Sequence, residues 1–288
     1  MRATDSLPRS LPAIVEIVRP GNIVMMMFGV VVGLIIAAGP AQVVDPSTAI
    51  PLALAALSVA LIGAGANIHN DVADLEIDRV NRPGRVLPSG RMTPGVAQWL
   101  GFLFSFLGIA VAFGISFKHV AVALVCTGLL YLYNSRLKRS GVTGNIVIGI
   151  VTSLSLLYGA LVSGESGSVW LGILFAFLLT LAREIVKDVE DIVGDSAAKS
   201  QSLPIGAGIE RSARVVRFIV IVTIVLLPLP YMFGNSGLYL VSIIPVGVML
   251  LEMLRQLLSV ENARSLSRML KYSMFLGLVS LALGNIGT

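Results

Sequence analysis

A long apolar run ends in the sequence NIHNDVADLEID, residues 67–78. At roughly 100° per residue on a helix, five of its polar side chains fall within a wedge of about 100°. These five are Asn67, Asn70, Asp71, Asp74 and Asp78. Glu76 falls on the opposite side. Three carboxylates and two carboxamides on one face, this close to lipid, are costly without a neighbouring positive charge. The stretch therefore predicts a bound cation.

A second stretch, EIVKDVEDIVGD at residues 184–195, repeats this pattern 117 positions later. The shift aligns three pairs of acids: Asp71 with Asp188, Asp74 with Asp191, and Asp78 with Asp195. Nine of the 16 acidic residues lie in these two stretches. A single acidic face is often merely solvated, but two copies in register, each at the end of an apolar helix, favour a shared site. We therefore expect a pseudo-repeat within one domain, residues 1–288.

The composition is that of a membrane protein. Of 288 residues, 56% are hydrophobic and 13% are charged, whereas about a quarter of a soluble domain is charged. Nine apolar runs approach the roughly 20 residues that span a bilayer. The runs cover residues 22–39, 50–70, 95–116, 119–134, 143–163, 168–186, 214–233, 236–257 and 270–286. We expect an all-α bundle of nine transmembrane helices.

The basic residues predict the orientation of this bundle. If the N-terminus is cytoplasmic, nine spans place 20 of the 21 lysines and arginines on the cytoplasmic side and leave only Lys118 outside. Both acidic stretches then lie at cytoplasmic helix ends in the cell membrane, and the C-terminus lies outside. This distribution argues against nucleic-acid binding despite a pI near 9.6, and no obligate protein partner is indicated.

The residue types of the acidic stretches point to phosphate chemistry. Mg²⁺ prefers oxygen ligands and commonly binds one or two carboxylates together with substrate phosphates. Zinc is disfavoured, because the chain has one cysteine and two histidines. Basic loops follow both stretches, so a diphosphate fits between Mg²⁺ and cationic side chains. At a membrane-embedded cavity this suggests an allylic prenyl diphosphate, whose leaving group the metal and the cations would stabilise.

The paired motifs resemble those of the UbiA-type intramembrane prenyltransferases. The resemblance is carried by the acidic spacing from residue 67, by its counterpart from residue 188, and by the nine spans. It implies a central cavity under a cytoplasmic cap formed by the loops after spans two and six, with Mg²⁺ bound through the diphosphate. The implied metal–diphosphate clusters are Asn67, Asp71, Asp74 and Asp78, with Asn70 on the same face, and Asp188, Asp191 and Asp195. The implied diphosphate contacts are Arg82, Lys138 and Lys199.

Two stretches resemble one archaeal branch of this family. They are REIVKDVEDIVGD at residues 183–195 and EIVRPGN at residues 16–22. Members of that branch transfer a geranylgeranyl group to geranylgeranylglyceryl phosphate and so form the second ether bond of archaeal lipids. A phosphorylated acceptor would give Arg19, Arg183 and Lys187 a role as its contacts. For Arg19, a topology signal alone is the competing interpretation.

Four residues are predicted to be catalytic: Asp71, Asp188, Tyr131 and Tyr133. The two aspartates are expected to be essential. A tyrosine at a helix end is more often an anchor at the membrane interface than a catalytic group. The resemblance nevertheless favours one of the two facing the cavity, where its ring would stabilise an allylic cation.

Two other functions fit parts of this pattern. An aromatic prenyltransferase acting on 4-hydroxybenzoate or a related quinone precursor would share the motifs and differ only in its acceptor cavity. A secondary transporter also combines repeated halves with charges inside the bundle. The acids here end their helices rather than lying at mid-membrane, which favours an enzyme.

Overall fold

The computed structural model describes residues 10–137, 140–165, 169–197 and 202–287, without the side chains of residues 10–12, 194, 195 and 197. Every regular element in these ranges is helical. The α-helices are α1 (Ser10–Ile17), α2 (Pro20–Ala38), α3 (Pro46–Ala73), α4 (Leu75–Asn81), α5 (Pro94–Phe113), α6 (Phe117–Leu132), α7 (Val142–Ala160), α8 (Trp170–Glu190), α9 (Ile192–Ala197), α10 (Leu203–Ala207), α11 (Ile209–Leu226), α12 (Leu229–Met232), α13 (Gly237–Arg255) and α14 (Val260–Gly284). A π-helical turn, Tyr133–Leu137, extends α6.

Eight helical segments are long and apolar enough to cross a membrane, which makes the chain an integral membrane protein. They contain α2, α3, α5, α6, α7, α11, α13 and α14. The remaining long helix, α8, has 21 residues but carries Arg183, Glu184 and Lys187 in its second half. The all-helical membrane fold is therefore confirmed, with eight spans in the described part of the chain where the sequence predicted nine.

The start of the last span differs most from the prediction. α14 begins at Val260, ten residues before the predicted apolar run, with Ser259 and Asn262 forming a capping box. Lys271 therefore lies about halfway along this helix, whereas the predicted run 270–286 placed it at the first turn. The polar residues in the first turns of α14, among them Glu261 and Arg264, hide this part of the helix from a search for apolar runs.

The two acidic helices break at the same point of the repeat. Asp74 ends α3 with φ −90° and ψ 2°, and Asp191 ends α8 with φ −94° and ψ 7°. A short helix restarts at the next residue in both cases, α4 at Leu75 and α9 at Ile192. α4 and α9 pack against each other. The 117-residue offset seen in the sequence is thus also an offset in backbone geometry.

α2 packs closely against α7 because of small residues at their crossing. A Cβ added to Gly33 would overlap the carbonyl oxygen of Leu156, and one on Gly159 would overlap that of Val30. Such close backbone approach is typical of packing between membrane helices. The start of α2 lies near the end of α3, where Arg19 pairs with Asp71.

Candidate active site

Two cavities meet inside the bundle, where α3 and α8 end. A polar cavity of about 320 Å³ is bordered by residues of both acidic stretches. A larger, mainly apolar cavity of about 530 Å³ extends between the helices. Arg19, Arg82, Tyr133 and Lys187 line both, so the two spaces are continuous. This arrangement suits a molecule with an anionic head and a long apolar tail.

Arg85 links two carboxylates of the first acidic stretch. Its Nη1 donates to Asp78 Oδ2 at 2.6 Å and lies 3.6 Å from Asp71 Oδ1. Asp71 also pairs closely with Arg19 and is buried beneath the two arginines. Glu76 lies on the opposite face, is exposed and pairs with Arg79. Glu76 therefore lies away from Asp71 and Asp78, as the sequence predicted, although the helix breaks at Asp74 between them.

A strained turn aims Arg19 at Asp71. Arg19 has φ 54°, the only left-handed backbone at a non-glycine residue in the described ranges. Such a conformation costs roughly 1–3 kcal/mol and persists only where its surroundings enforce it. Asn67 Nδ2 donates to the carbonyl of Val18 at 2.8 Å and holds the turn from α3. In this structure Asn67 thus supports the position of Arg19.

Arg82 joins the two halves of the repeat. Its Nη2 lies 2.7 Å from Asp191 Oδ1 and 3.5 Å from Glu190 Oε1, and Asn81 Nδ2 donates to the carbonyl of Asp191 at 3.2 Å. Burial raises the pKa of the Asp191 carboxyl, and the guanidinium of Arg82 only partly offsets this. Arg264 Nε also donates to Glu190 Oε1, at 3.0 Å. The shared carboxylates bring α4, α8 and α14 together over the cavity.

The rest of the second stretch is held in place by short contacts. Asn145 Nδ2, at the start of α7, donates to Asp188 Oδ2 at 2.8 Å. Lys187 Nζ donates to Glu184 Oε2 at 2.8 Å. The Asp188 carboxylate is therefore held in part from α7.

The carboxylates fit a metal that is bound together with a diphosphate. In the described ranges, no three His, Cys, Asp or Glu side chains are grouped closely enough to hold a metal by themselves. Mg²⁺ needs only one or two carboxylates when phosphate oxygens and water complete its coordination. The acidic side chains that line the polar cavity are Asp74, Asp78, Glu184, Asp188 and Asp191, and the carboxamide of Asn70 lies among them. These residues would therefore bind a metal together with phosphate oxygens and water, and not by protein ligands alone.

The structure separates the two tyrosines. Tyr133 is buried in the π-helical turn and lines both cavities. Tyr131 is exposed and packs against His69 and Phe102, with ring centroids 5.3 Å and 5.5 Å away. Of the two, Tyr133 is the one placed to contact a substrate.

Three predicted residues fall outside what the structure describes. They are Lys138, Lys199 and the side chain of Asp195. Conversely, the sequence argument overlooked Arg85, Asn145 and Lys271, which border the cavities or fix their lining. Arg85 follows Arg82 by three residues and Lys271 interrupts an apolar helix, so both had a local signal. Asn145 had none beyond being polar near the start of a span.

Known proteins are similar in sequence to nearly the whole of this chain. A digeranylgeranylglyceryl phosphate synthase of Metallosphaera sedula is 37% identical over 274 residues, which are 94% of this chain and 95% of the relative. One of Methanopyrus kandleri is 38% identical over 273 residues, 93% of this chain and 97% of the relative.

Solved structures extend the comparison to the fold. The structure of a digeranylgeranylglyceryl phosphate synthase in membranes matches with a TM-score of 0.75 and 29% identity, covering 96% of this chain and 99% of that one. A UbiA homologue of Archaeoglobus fulgidus bound to GPP and Mg²⁺ shares the fold, with a TM-score of 0.69 and 17% identity over 93% of this chain and 99% of that one. Residues 26–279 match the UbiA prenyltransferase family. The chain belongs to that family, and it is a prenyltransferase.

Proposed function

We propose that the chain transfers a geranylgeranyl group from geranylgeranyl diphosphate to geranylgeranylglyceryl phosphate, with Mg²⁺ as cofactor. The observation that carries the proposal is the polar cavity between the two acidic stretches, which continues into a larger apolar cavity. Relatives that match nearly the whole chain bear the name digeranylgeranylglyceryl phosphate synthase, which supports this acceptor over an aromatic one.

The diphosphate is proposed to lie in the polar cavity. Arg82, Arg85 and Lys187 line this cavity and present cationic groups to it, so they are suited to contact the diphosphate oxygens. Lys138 and Lys199 are proposed as further contacts from the sequence alone. The proposed metal ligands are Asn67, Asn70, Asp71, Asp74, Asp78, Asp188, Asp191 and Asp195. A bound Mg²⁺ would neutralise the charge that develops on the leaving diphosphate.

The prenyl chain and the reacting carbon are proposed to lie in the adjoining apolar cavity. Met26, Val59 and Leu278 are among its lining residues, and they would exclude water from the allylic carbon. The bond between that carbon and the diphosphate oxygen breaks, and the hydroxyl oxygen of the acceptor forms the new ether bond and loses its proton. The Tyr133 ring borders both cavities and would face the positive charge formed between these steps.

We infer nine membrane spans, with α8 as the sixth. At 1.5 Å per residue, its 21 residues reach about 31 Å, enough for a hydrocarbon core of about 30 Å. Its charged residues Arg183, Glu184 and Lys187 line the cavity, which relieves the cost of placing them in a span.

The inferred topology sets the orientation. With nine spans and a cytoplasmic N-terminus, the basic loops lie in the cytoplasm, the polar cavity opens there, and the C-terminus lies outside. α4 and α9 would form the cap over this opening. The two halves of the single domain would then be related by the 117-residue repeat.

Product analysis tests the proposed function. Purified protein in detergent is given Mg²⁺ and geranylgeranyl diphosphate, with geranylgeranylglyceryl phosphate or 4-hydroxybenzoate offered separately, and products are identified by mass. We expect a diether phosphate and one released diphosphate per ether bond. Faster prenylation of 4-hydroxybenzoate would replace this proposal by the aromatic one. Binding of both substrates without any product would contradict an enzyme.

A further inference from the structure

Lys271 is a charged residue within the last membrane-spanning helix. It lies about halfway along α14, a 25-residue helix that is long and apolar enough to cross the bilayer. Charged residues in membrane-spanning helices are costly, and those that persist usually face a cavity where they have a function. The side chain of Lys271 lines the larger cavity. Its position is therefore that of a binding group rather than of a topology signal.

The Lys271 ammonium has polar neighbours but no acidic counter-charge in the described part of the chain. Its Nζ donates to Asn22 Oδ1 at 3.4 Å, and a Cβ on Gly21 would lie 3.5 Å from it. No described carboxylate lies within 4.0 Å of this nitrogen. Arg183, which is also positive, is close enough to repel the Lys271 ammonium.

Arg183 is a second cationic residue that lines the same cavity. The Nε of Arg183 is buried and has no hydrogen-bond partner in the described part of the chain. Its Nη1 reaches only as far as Glu184 Oε1, at 3.4 Å, and that carboxylate already accepts from Lys187 at 2.8 Å. A buried donor without a partner costs about 1–3 kcal/mol. Two neighbouring cations and a buried donor without a partner together favour the binding of an anion at this position.

Arg183 and Lys271 lie apart from the aspartates proposed to hold the diphosphate with its metal. Arg183 and Lys271 line the larger cavity and not the polar one, whereas Arg82 and Arg85 line both. The polar cavity alone is bordered by the aspartates, Asp74, Asp78, Asp188 and Asp191. Of the other two predicted acceptor contacts, Arg19 pairs closely with Asp71. Lys187 lies 2.8 Å from Glu184, a shorter contact than the 3.4 Å that separates Arg183 from the same side chain.

We propose that Lys271, Arg183 and Asn22 form a subsite for the phosphate monoester of the acceptor lipid. The inference rests on the proposed function, because it assumes that the acceptor carries a phosphate. Asn22 holds the ammonium at the start of α2, and Arg183 offers its guanidinium from α8. A phosphate between them would neutralise both charges and accept from the Arg183 Nε. The subsite would hold the acceptor by its head group, away from the leaving diphosphate.

The test replaces Lys271 by methionine, which keeps an unbranched chain and removes the charge. Arg268→Met is the matched control, because Arg268 lies on the same helix and is exposed. Lys271→Arg restores the charge. Binding of geranylgeranylglyceryl phosphate is measured by calorimetry in excess EDTA, beside the same ether alcohol without its phosphate. Steady-state constants for both acceptors and for geranylgeranyl diphosphate are then measured with Mg²⁺.

We expect Lys271→Met to raise the Kd of the phosphorylated acceptor about ten- to a hundredfold. The Kd of the alcohol and the KM of geranylgeranyl diphosphate should not change, Arg268→Met should behave as the wild type, and Lys271→Arg should recover most of the binding. Equal losses for both acceptors, no loss, or a raised KM for the prenyl diphosphate would overturn the subsite.

Failure of the subsite differs from failure of the proposed function. If the wild type forms the diether and Lys271→Met binds the phosphate equally well, only the subsite is wrong. If binding of the phosphate depends on Lys271 but no ether forms, the subsite stands and the proposed function is wrong.

Discussion

Replacing Asp78 by asparagine should nearly abolish turnover and leave the bundle folded. Asp78 is only 1% exposed, lines the polar cavity and accepts from Arg85 Nη1 at 2.6 Å. Asparagine keeps the shape of the side chain and one acceptor oxygen, but it removes the negative charge. Loss of one preorganised electrostatic contact at a developing charge lowers kcat by about 10²–10³-fold. We expect a loss of this size.

The same variant should lose only a little stability. In this variant Arg85 Nη1 still has the carboxylate of Asp71, with Oδ1 at 3.6 Å, as a partner. The Arg85 side chain is also 25% exposed to solvent. Leaving a fully buried charge unpaired costs about 3–5 kcal/mol. Because Arg85 stays partly paired and partly solvated, we expect a loss nearer about 1–2 kcal/mol. Thermal unfolding in detergent checks this before rates are compared.

Glu76→Gln is the matched control for Asp78→Asn. It removes one negative charge from the same short helix, but the Glu76 side chain is 69% exposed and contacts Arg79 across one turn. Exposed pairs of this kind contribute about 0.3–0.5 kcal/mol. The assay follows diphosphate release together with the ether product, and Glu76→Gln should keep the wild-type rate. Equal losses in both variants, or full activity of Asp78→Asn, would refute the assignment of opposite faces.

Three further perturbations test other parts of the account. Excess EDTA should stop ether formation and added Mg²⁺ should restore it; full turnover in EDTA would contradict the metal assignment. Asn145→Ala should lower kcat about ten- to a hundredfold, because Asn145 fixes Asp188 at 2.8 Å; an unchanged rate would show that Asp188 needs no support. Gly159→Ala should lower the free energy of unfolding by about 1–3 kcal/mol, because the added Cβ would overlap Val30. Gly128→Ala should keep the wild-type stability, because a Cβ on Gly128 would meet no atom within 4 Å. Equal stability of the two variants would contradict the close crossing.

Periodicity and repetition in the sequence predict much of the site. The helical wedge separates Asp78, which lines the cavity, from Glu76, which is exposed. The 117-residue offset anticipates that the two stretches are equivalent, and the matching breaks at Asp74 and Asp191 follow it. Both features depend on local geometry and hydrophobic burial, which the order of residue types encodes directly.

The pairing of charges could not be predicted in the same way. Arg85 reaches back to Asp71 and Asp78, and Arg19 reaches Asp71 from a strained turn before α2. Which arginine meets which carboxylate depends on how separate helices pack, and spacing along one helix does not contain that information. The sequence therefore indicated cations near the acids without assigning partners to them.

The position of Lys271 shows a different limit. A search for apolar runs begins a span where polar residues end, so it started the last span at residue 270. The capping box at Ser259 and Asn262 instead begins α14 at Val260. The charged first turns extend the helix and carry Lys271 into its middle. Helix caps were the sequence signal that would have corrected this boundary.

The central claim is that the diphosphate lies between the two acidic stretches with its tail in the adjoining apolar cavity. An experimental structure with Mg²⁺ and an unreactive thio-analogue of geranylgeranyl diphosphate tests it directly. The account predicts diphosphate density in the polar cavity near Asp78, Asp188 and Arg82, with the prenyl chain running past Met26. Density for the diphosphate outside this cavity, or a metal bound away from both acidic stretches, would contradict it.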